Sequence, residues 1–164
     1  MELPIVDRLK RELAELQHEL AHDLPARLEE ARAHGDLREN AEYEAAKHRQ
    51  GVLRARIGQT QERLRELSTY SLARIPRDRI SYGSRVTLED VDTGDRVKYH
   101  LVFPEEIDAG AGMISISAPI GQALMNKSPG DEVVVQTPSG RKTYDVVDLE
   151  TLHDRQATAT SPDD

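Results

Sequence analysis

Two long stretches of this chain repeat their apolar residues at alternating intervals of three and four. In the first, Val6, Leu9, Leu13, Leu16 and Leu20 are separated by charged and polar residues, which is the seam of a coiled coil. The seam then moves to Leu24, Leu28 and Ala31 around Pro25, where a proline inside a helix predicts a kink or a local change of register. The second stretch carries Ala46, Gln50, Leu53, Ile57, Thr60, Leu64 and Leu67 at the same spacing. Gln50 and Thr60 weaken that seam, and Gly51 and Gly58 lower its helix propensity, so the predicted rod depends on pairing more than on local preference. Two such segments joined by a few turn residues predict an antiparallel hairpin over residues 1–70, its first arm roughly 40 Å long at about 1.5 Å per residue.

Neither seam continues through Gly35-Asp36-Leu37-Arg38-Glu39-Asn40-Ala41-Glu42-Tyr43. Gly35 can take the positive φ that ends a helix, and Asp36 followed three residues later by Glu39 is a signal for starting the next one. Two carboxylates are thereby expected together at the closed end of the hairpin.

Beyond residue 70 the period changes from helical to alternating. Residues 71–79 contain Pro76 and mixed charge and read as a linker. Within 80–152, strands are predicted at 85–88, 96–103, 113–117, 132–137 and 141–149, with a turn at Asp92-Thr93-Gly94-Asp95 and a short helix at 119–125 opened by Pro119. The fold class expected is therefore α+β, a two-helix coiled coil followed by a small, mainly-β domain with one short helix. Residues 153–164 show no periodicity and read as a disordered tail.

Composition narrows the function classes. The 164 residues include no Cys and no Trp, one Phe and five Tyr, which removes thiolate chemistry and disulfides and limits any large core. No apolar run reaches membrane-spanning length and no signal-peptide pattern opens the chain, so a soluble cytoplasmic protein is expected. The net charge is −8; residues 1–70 carry 12 Lys and Arg against 14 Asp and Glu, and the remainder 10 against 16, which argues against wrapping duplex DNA. One window, residues 45–61, holds no acid but has Lys47, Arg49, Arg54 and Arg56. The six histidines read as surface residues rather than metal ligands, His34 and His48 among them.

Three segments together carry a resemblance: GDLRENAEYEAAKHRQGVLRARI at the predicted turn, YGSRVTLEDVDTGDRVKYHLV, and ISISAPIGQALMNKSPGDEVVVQTPSGRKTYDVVDLE. They resemble the bacterial Gre transcript-cleavage factors, nearer the GreA branch, over nearly the whole chain. The resemblance implies an FKBP-like second domain that docks on RNA polymerase and a coiled coil that enters the polymerase's secondary channel. It implies that Asp36 and Glu39 reach the polymerase's active centre, help hold a Mg²⁺ ion there jointly with the polymerase, and stimulate its cleavage of backtracked nascent RNA. Hard Mg²⁺ takes a few carboxylate oxygens and keeps its waters, so two carboxylates alone would bind no metal and hydrolyse nothing. The isolated protein is accordingly expected to be a monomer without a bound cofactor and without enzymatic activity of its own.

Other site residues follow from the same resemblance. Arg32 and Lys47 fall where related factors carry a basic patch against the 3′ end of extruded RNA, and Ser117, Ala118 and Pro119 match the loop that grips the polymerase. In that loop a polar or acidic residue followed by Ser is usual where Ser117 and Ala118 stand. Each assignment has a plainer counterpart: a helix cap for Asp36 and Glu39, a solvated coiled-coil flank for Arg32 and Lys47, with the basic window pairing to Glu29 and Glu30, and packing for Tyr43. Prolyl isomerase activity is not expected, because one Phe and no Trp cannot line such a pocket. The alternatives at the level of function are a channel-plugging inhibitor on the same scaffold and a coiled-coil scaffold for another partner.

Overall fold

The computed structural model describes residues 3–35, 37–108 and 111–160, with the backbone alone at residues 34 and 37–40. Its contacts divide the chain into two compact units, Met1–Leu72 and Ala73–Asp164.

The first unit is a helical hairpin. Helix α1 (Pro4–His18) opens with Pro4 in its first turn, where the missing N–H costs nothing, and runs into a π-helical turn, Glu19–Asp23. Helix α2 (Leu24–His34) follows without a break, and α3 (Leu37–Leu67) returns alongside over 31 residues, roughly 46 Å at about 1.5 Å per residue. Every residue of the predicted seams faces inward. Leu16, Leu24, Ala46 and Leu53 form the buried cluster, with Leu20, Leu28 and Ile57 packed on it, and Gln50 and Thr60 are half-buried within the seam.

The change of register predicted at Pro25 takes the form of the π turn. Pro25 has no N–H for the carbonyl of Ala21, and its ring crowds that carbonyl, so the helix widens by one residue just upstream. The widening lets Leu16, Leu20, Leu24 and Leu28 follow at intervals of four and still meet α3. Ion pairs among the described residues tie the arms together: Arg49 donates Nε and Nη2 to the two carboxylate oxygens of Glu19, both at 2.9 Å, and Arg56 donates to Glu12 at 2.8 Å. The partners of these two arginines are thus Glu19 and Glu12, lower on the first arm than the Glu29 and Glu30 expected from sequence.

The second unit is built on a five-stranded sheet of order β3-β2-β1-β5-β4, with β1 (Arg85–Asp90), β2 (Arg96–Val102), β3 (Met113–Ser115), β4 (Glu132–Thr137) and β5 (Gly140–Glu150). All neighbours are antiparallel except β2 and β3. Ile80, Val86, Leu88, Leu101, Leu124, Val133, Val135 and Val146 make the core. The register between β1 and β5 slips after Thr87, pairing Thr87 with Asp148 and Leu88 with Val146. Val147 is the extra residue of that bulge, which is why Val146 and Leu149, three apart, both reach the core while Val147 is exposed. The short helix α4 (Pro119–Leu124) covers the sheet, and it lies so close that a Cβ on Gly121 would sit 2.0 Å from the Ser115 carbonyl oxygen.

Two expectations require correction. The segment read as a disordered tail forms helix α5 (Leu152–Ala159), opened by a capping box in which Asp154 N–H bonds Thr151 Oγ1 at 3.2 Å and Thr151 N–H bonds the Asp154 carboxylate at 2.9 Å. Apolar periodicity could not reveal it, because only Leu152 is buried and polar bonds do the rest: His153 Nε2 lies 2.9 Å from the Ile75 carbonyl, and Arg155 donates to the Gly83 carbonyl at 2.8 Å. The stretch read as a linker likewise contains a 3₁₀ turn, Leu72–Arg74, and buries Leu72 and Ile75.

Glycines in the two units should respond oppositely to substitution. Gly58 is exposed inside α3, with nothing within 4 Å of an added Cβ, so Gly58→Ala should stabilise the protein by about 0.5–1 kcal/mol. Gly121→Ala should instead prevent α4 from seating, dropping the unfolding midpoint sharply or abolishing soluble protein. Urea unfolding followed by circular dichroism measures both.

Candidate functional site

The hairpin closes at Gly35, whose φ of 74° and ψ of 8° make it the left-handed cap of α2. Nothing lies within 4 Å of where its Cβ would be, so the glycine is required by conformation and not by space. Helix α3 begins at Leu37, two residues later, which puts the backbone of Glu39 in its first turn. Asp36 and the side chain of Glu39 lie outside the described residues, and so does the cap expected between them.

Behind the turn the two arms bring a pair of cations to one aromatic ring. Arg32, near the end of α2, donates through Nη2 to the Tyr43 hydroxyl at 3.3 Å. The Arg32 guanidinium carbon is 5.7 Å from the centre of the Tyr43 ring, and Lys47 Nζ, one turn further along α3, is 5.9 Å from it. The hydrogen bond from Arg32 holds the Tyr43 hydroxyl below its ordinary pKa against desolvation, helped by the charges of Lys47 and Arg32, and the same bond raises Arg32. Sequence reasoning selected Arg32 and Lys47 and treated Tyr43 as packing. The structure makes Tyr43 the half-buried hub that both cations share; the Tyr43/Lys47 spacing of four was the available signal. Nested with the pairs 19/49 and 12/56, the 32/43 contact completes an antiparallel ladder whose closed end is the turn.

Ser117, Ala118 and Pro119 belong to the second unit, on the connection between β3 and α4. That connection is stiff. Ser117 N–H bonds Ser115 Oγ at 3.1 Å, the two serine hydroxyls are 2.7 Å apart, and Ala118 N–H bonds the Ser115 carbonyl at 3.1 Å. Ser117 and Pro119 are exposed, and Pro119 starts the helix from an extended Ala118. A rigid, solvent-facing loop of this kind can present side chains to a partner with little ordering cost.

A third feature escaped sequence reasoning. On the sheet face opposite the core, Arg85, Lys98, His100, Met113, Asp148 and Glu150 line a cleft of about 460 Å³. Arg155 Nη1 lies 2.8 Å from His100 Nε2, and a guanidinium can only donate, so His100 accepts there and carries its proton on Nδ1. Burial, then the charges of Arg155 and Arg85, pushes His100 down to about 4. Alternation put His100 on the outward face with Arg96 and Lys98 and gave no sign of its partner Arg155, which comes from α5.

The arrangement defines a class before any comparison: a rigid helical probe with a polar, charged tip, followed by a small α+β unit with an exposed, braced loop. Residues 5–68 match the family described as transcription elongation factor, N-terminal, and residues 75–151 match transcription elongation factor, GreA/GreB, C-term. The chain is 44% identical over 142 residues to the transcription elongation factor GreA of Solidesulfovibrio magneticus, covering 87% of this chain and 86% of that protein. It is 42% identical over 144 residues to the GreA of Desulfotalea psychrophila, covering 88% and 89%. Among solved structures, GreA factor homolog 1 (Gfh1) of Thermus thermophilus matches at 27% identity with a TM-score of 0.41, covering 88% of this chain and 94% of that one. The chain belongs to the GreA/GreB family of transcription elongation factors.

The neutral His100 has a measurable consequence. The free imidazole titrates near 6.5, whereas in the folded protein His100 holds out to about 4. On acidification the unfolded chain therefore takes up the proton first. The associated stability is fully present above about pH 6.5 and is lost as pH falls through the interval down to about 4. His100→Gln keeps an acceptor for Arg155 but cannot titrate, so its unfolding midpoint should fall less steeply than that of the wild type between those limits, as measured by urea titrations at half-unit pH steps.

Proposed function

We propose that this protein acts on RNA polymerase, inserting its hairpin into the secondary channel so that Asp36 and Glu39 reach the polymerase's active centre and stimulate cleavage of backtracked nascent RNA. The observation that carries the reading is the reversal at Gly35. It sets the first turn of α3, with Glu39 in it, at the closed end of a paired rod, and Arg32, Tyr43 and Lys47 one to three turns behind. Carboxylates at the end of a stiff rod are delivered at a defined distance from whatever anchors its base. Cations set just behind them suit a phosphate chain leaving the same centre, and they orient it without reading its sequence.

The donor set fits a shared Mg²⁺ site and not a private one. Asp36 with Glu39 supplies only part of the oxygen shell that Mg²⁺ requires. When bound, the ion would activate water and stabilise the leaving oxygen. The residues of this chain would complete its ligand shell and position the water, with the polymerase supplying the rest. On this reading the protein is not itself an enzyme, its partners are the polymerase and the 3′ end of the RNA, and it works in the cytoplasm. Ser117, Ala118 and Pro119 provide the anchoring loop on the second unit.

The test is a stalled, backtracked elongation complex in Mg²⁺ with and without the protein. The wild type should accelerate release of a short 3′ RNA fragment, and Asp36→Asn with Glu39→Gln should lose at least about a hundredfold of that stimulation while polymerase binding is unchanged. Equal cleavage with the double variant would overturn the assignment of the carboxylates. Binding that slows elongation without any cleavage would make the protein a channel inhibitor.

A further inference from the structure

The π turn carries chemistry that the tip does not use. Residues 18–22 read His-Glu-Leu-Ala-His, so two of the histidines read above as surface residues rather than metal ligands stand four apart. Their rings lie with centroids 4.7 Å apart and planes at 39°, and His18 Nε2 is 3.8 Å from Asp23 Oδ1. In an α-helix of about 3.6 residues per turn, residue 23 would lie about 140° round the axis from residue 18. A π turn bonds each residue to the fifth beyond it and so returns Asp23 beside His18, while the His22 ring keeps its contact with His18. All three are exposed, His18 and Asp23 with 66% and 61% of their side chains accessible.

We propose that His18, His22 and Asp23 form a binding site for a divalent transition metal of the zinc type. Two imidazoles and a carboxylate are the donors such ions take, with solvent filling the remaining position. The chain has no cysteine to compete for the ion. The three donors are not drawn together into a ready-made ligand set; all three side chains are exposed, and binding requires them to rotate onto the ion. Pro25 alone accounts for the widening of the helix, but not for three donors gathered on one face of the widened turn.

The spacing is also that of metalloprotease helices, in which the Glu acts as base. Here both carboxylate oxygens of Glu19 are held by Arg49 at 2.9 Å, so the side chain reaches across to α3. The site therefore binds metal and does not hydrolyse peptides. A metal ion here would cross-link residues on both sides of the inserted residue and pin the register of the first arm.

Zinc chloride is the probe, added to the whole protein in a non-chelating buffer and followed by calorimetry and histidine-ring NMR. The expected result is one equivalent bound, with the ring signals of His18 and His22 shifting and those of His100 and His153 staying in place. The melting temperature should rise with zinc. Either His18→Ala or His22→Ala should weaken binding by about tenfold or more and remove the rise, while melting as the wild type does without zinc. Unchanged stoichiometry and affinity in the double variant, or still ring signals for His18 and His22 at saturating zinc, would overturn the proposal; an Asp23→Asn affinity equal to wild type would remove Asp23 from the ligand set.

Discussion

One narrow apolar seam holds the hairpin in shape. Helices of this composition are marginal alone, since α3 contains Gly51 and Gly58 and has polar residues at two seam positions. What keeps them folded is burial of side chains such as Leu16, Leu24, Ala46 and Leu53 between the arms, each leucine worth about 1.5–3 kcal/mol when fully removed from water. The ion pairs add direction more than energy. Glu19 and Arg49 retain 28% and 40% of their side-chain exposure, and pairs so open to solvent contribute little to stability. Their value is to fix which turn of α1 faces which turn of α3.

The π turn shows how the seam constrains everything placed on it. A proline at position 25 would break a regular helix, and a kink there would tear Leu24 and Leu28 from α3. Inserting one residue keeps both arms in contact and leaves Leu24 fully buried. The same turn carries Glu19, which reaches across to Arg49, and brings the solvent-exposed Asp23 back beside His18. A local solution to a backbone problem thus sets the placement of polar groups that have no part in the packing.

Much of this was legible because burial leaves a period in the sequence. The three-four spacing located both arms, and the alternation of Val97, Tyr99 and Leu101 located β2. Gly35 announced the turn through its permitted conformations. What stayed hidden was held by polar contacts, which leave none. Helix α5 buries only Leu152 and is fastened by His153 and Arg155 to backbone carbonyls, although Thr151 and Asp154 did spell a capping box. The role of Tyr43 depends on Arg32 from the other arm, and the His100 environment on Arg155 from α5; pairs so far apart in sequence become neighbours only through the fold. The bulge at Val147 breaks alternation, so an outward valine looked the same as an inward one.

The two glycines at the functional segments separate chemistry from stability. Gly35 is needed only for its left-handed φ, with no atom near its Cβ position, and among the described residues the buried seam ends at Ala31 on one arm and Ala46 on the other. The turn lies beyond the last buried seam residues on either arm, so that seam is complete without its charges. Gly121 is the reverse: the close approach of α4 to Ser115 exists only because there is no side chain, and the same carbonyl accepts from Ala118 N–H and so braces the loop of Ser117 and Pro119. Under the function proposed above, a variant tip on an intact rod changes the reaction and keeps the binding, whereas a variant at the base of the loop disturbs the sheet first. That asymmetry is what a protein requires if its fold is to deliver reactive groups to a site supplied by something else.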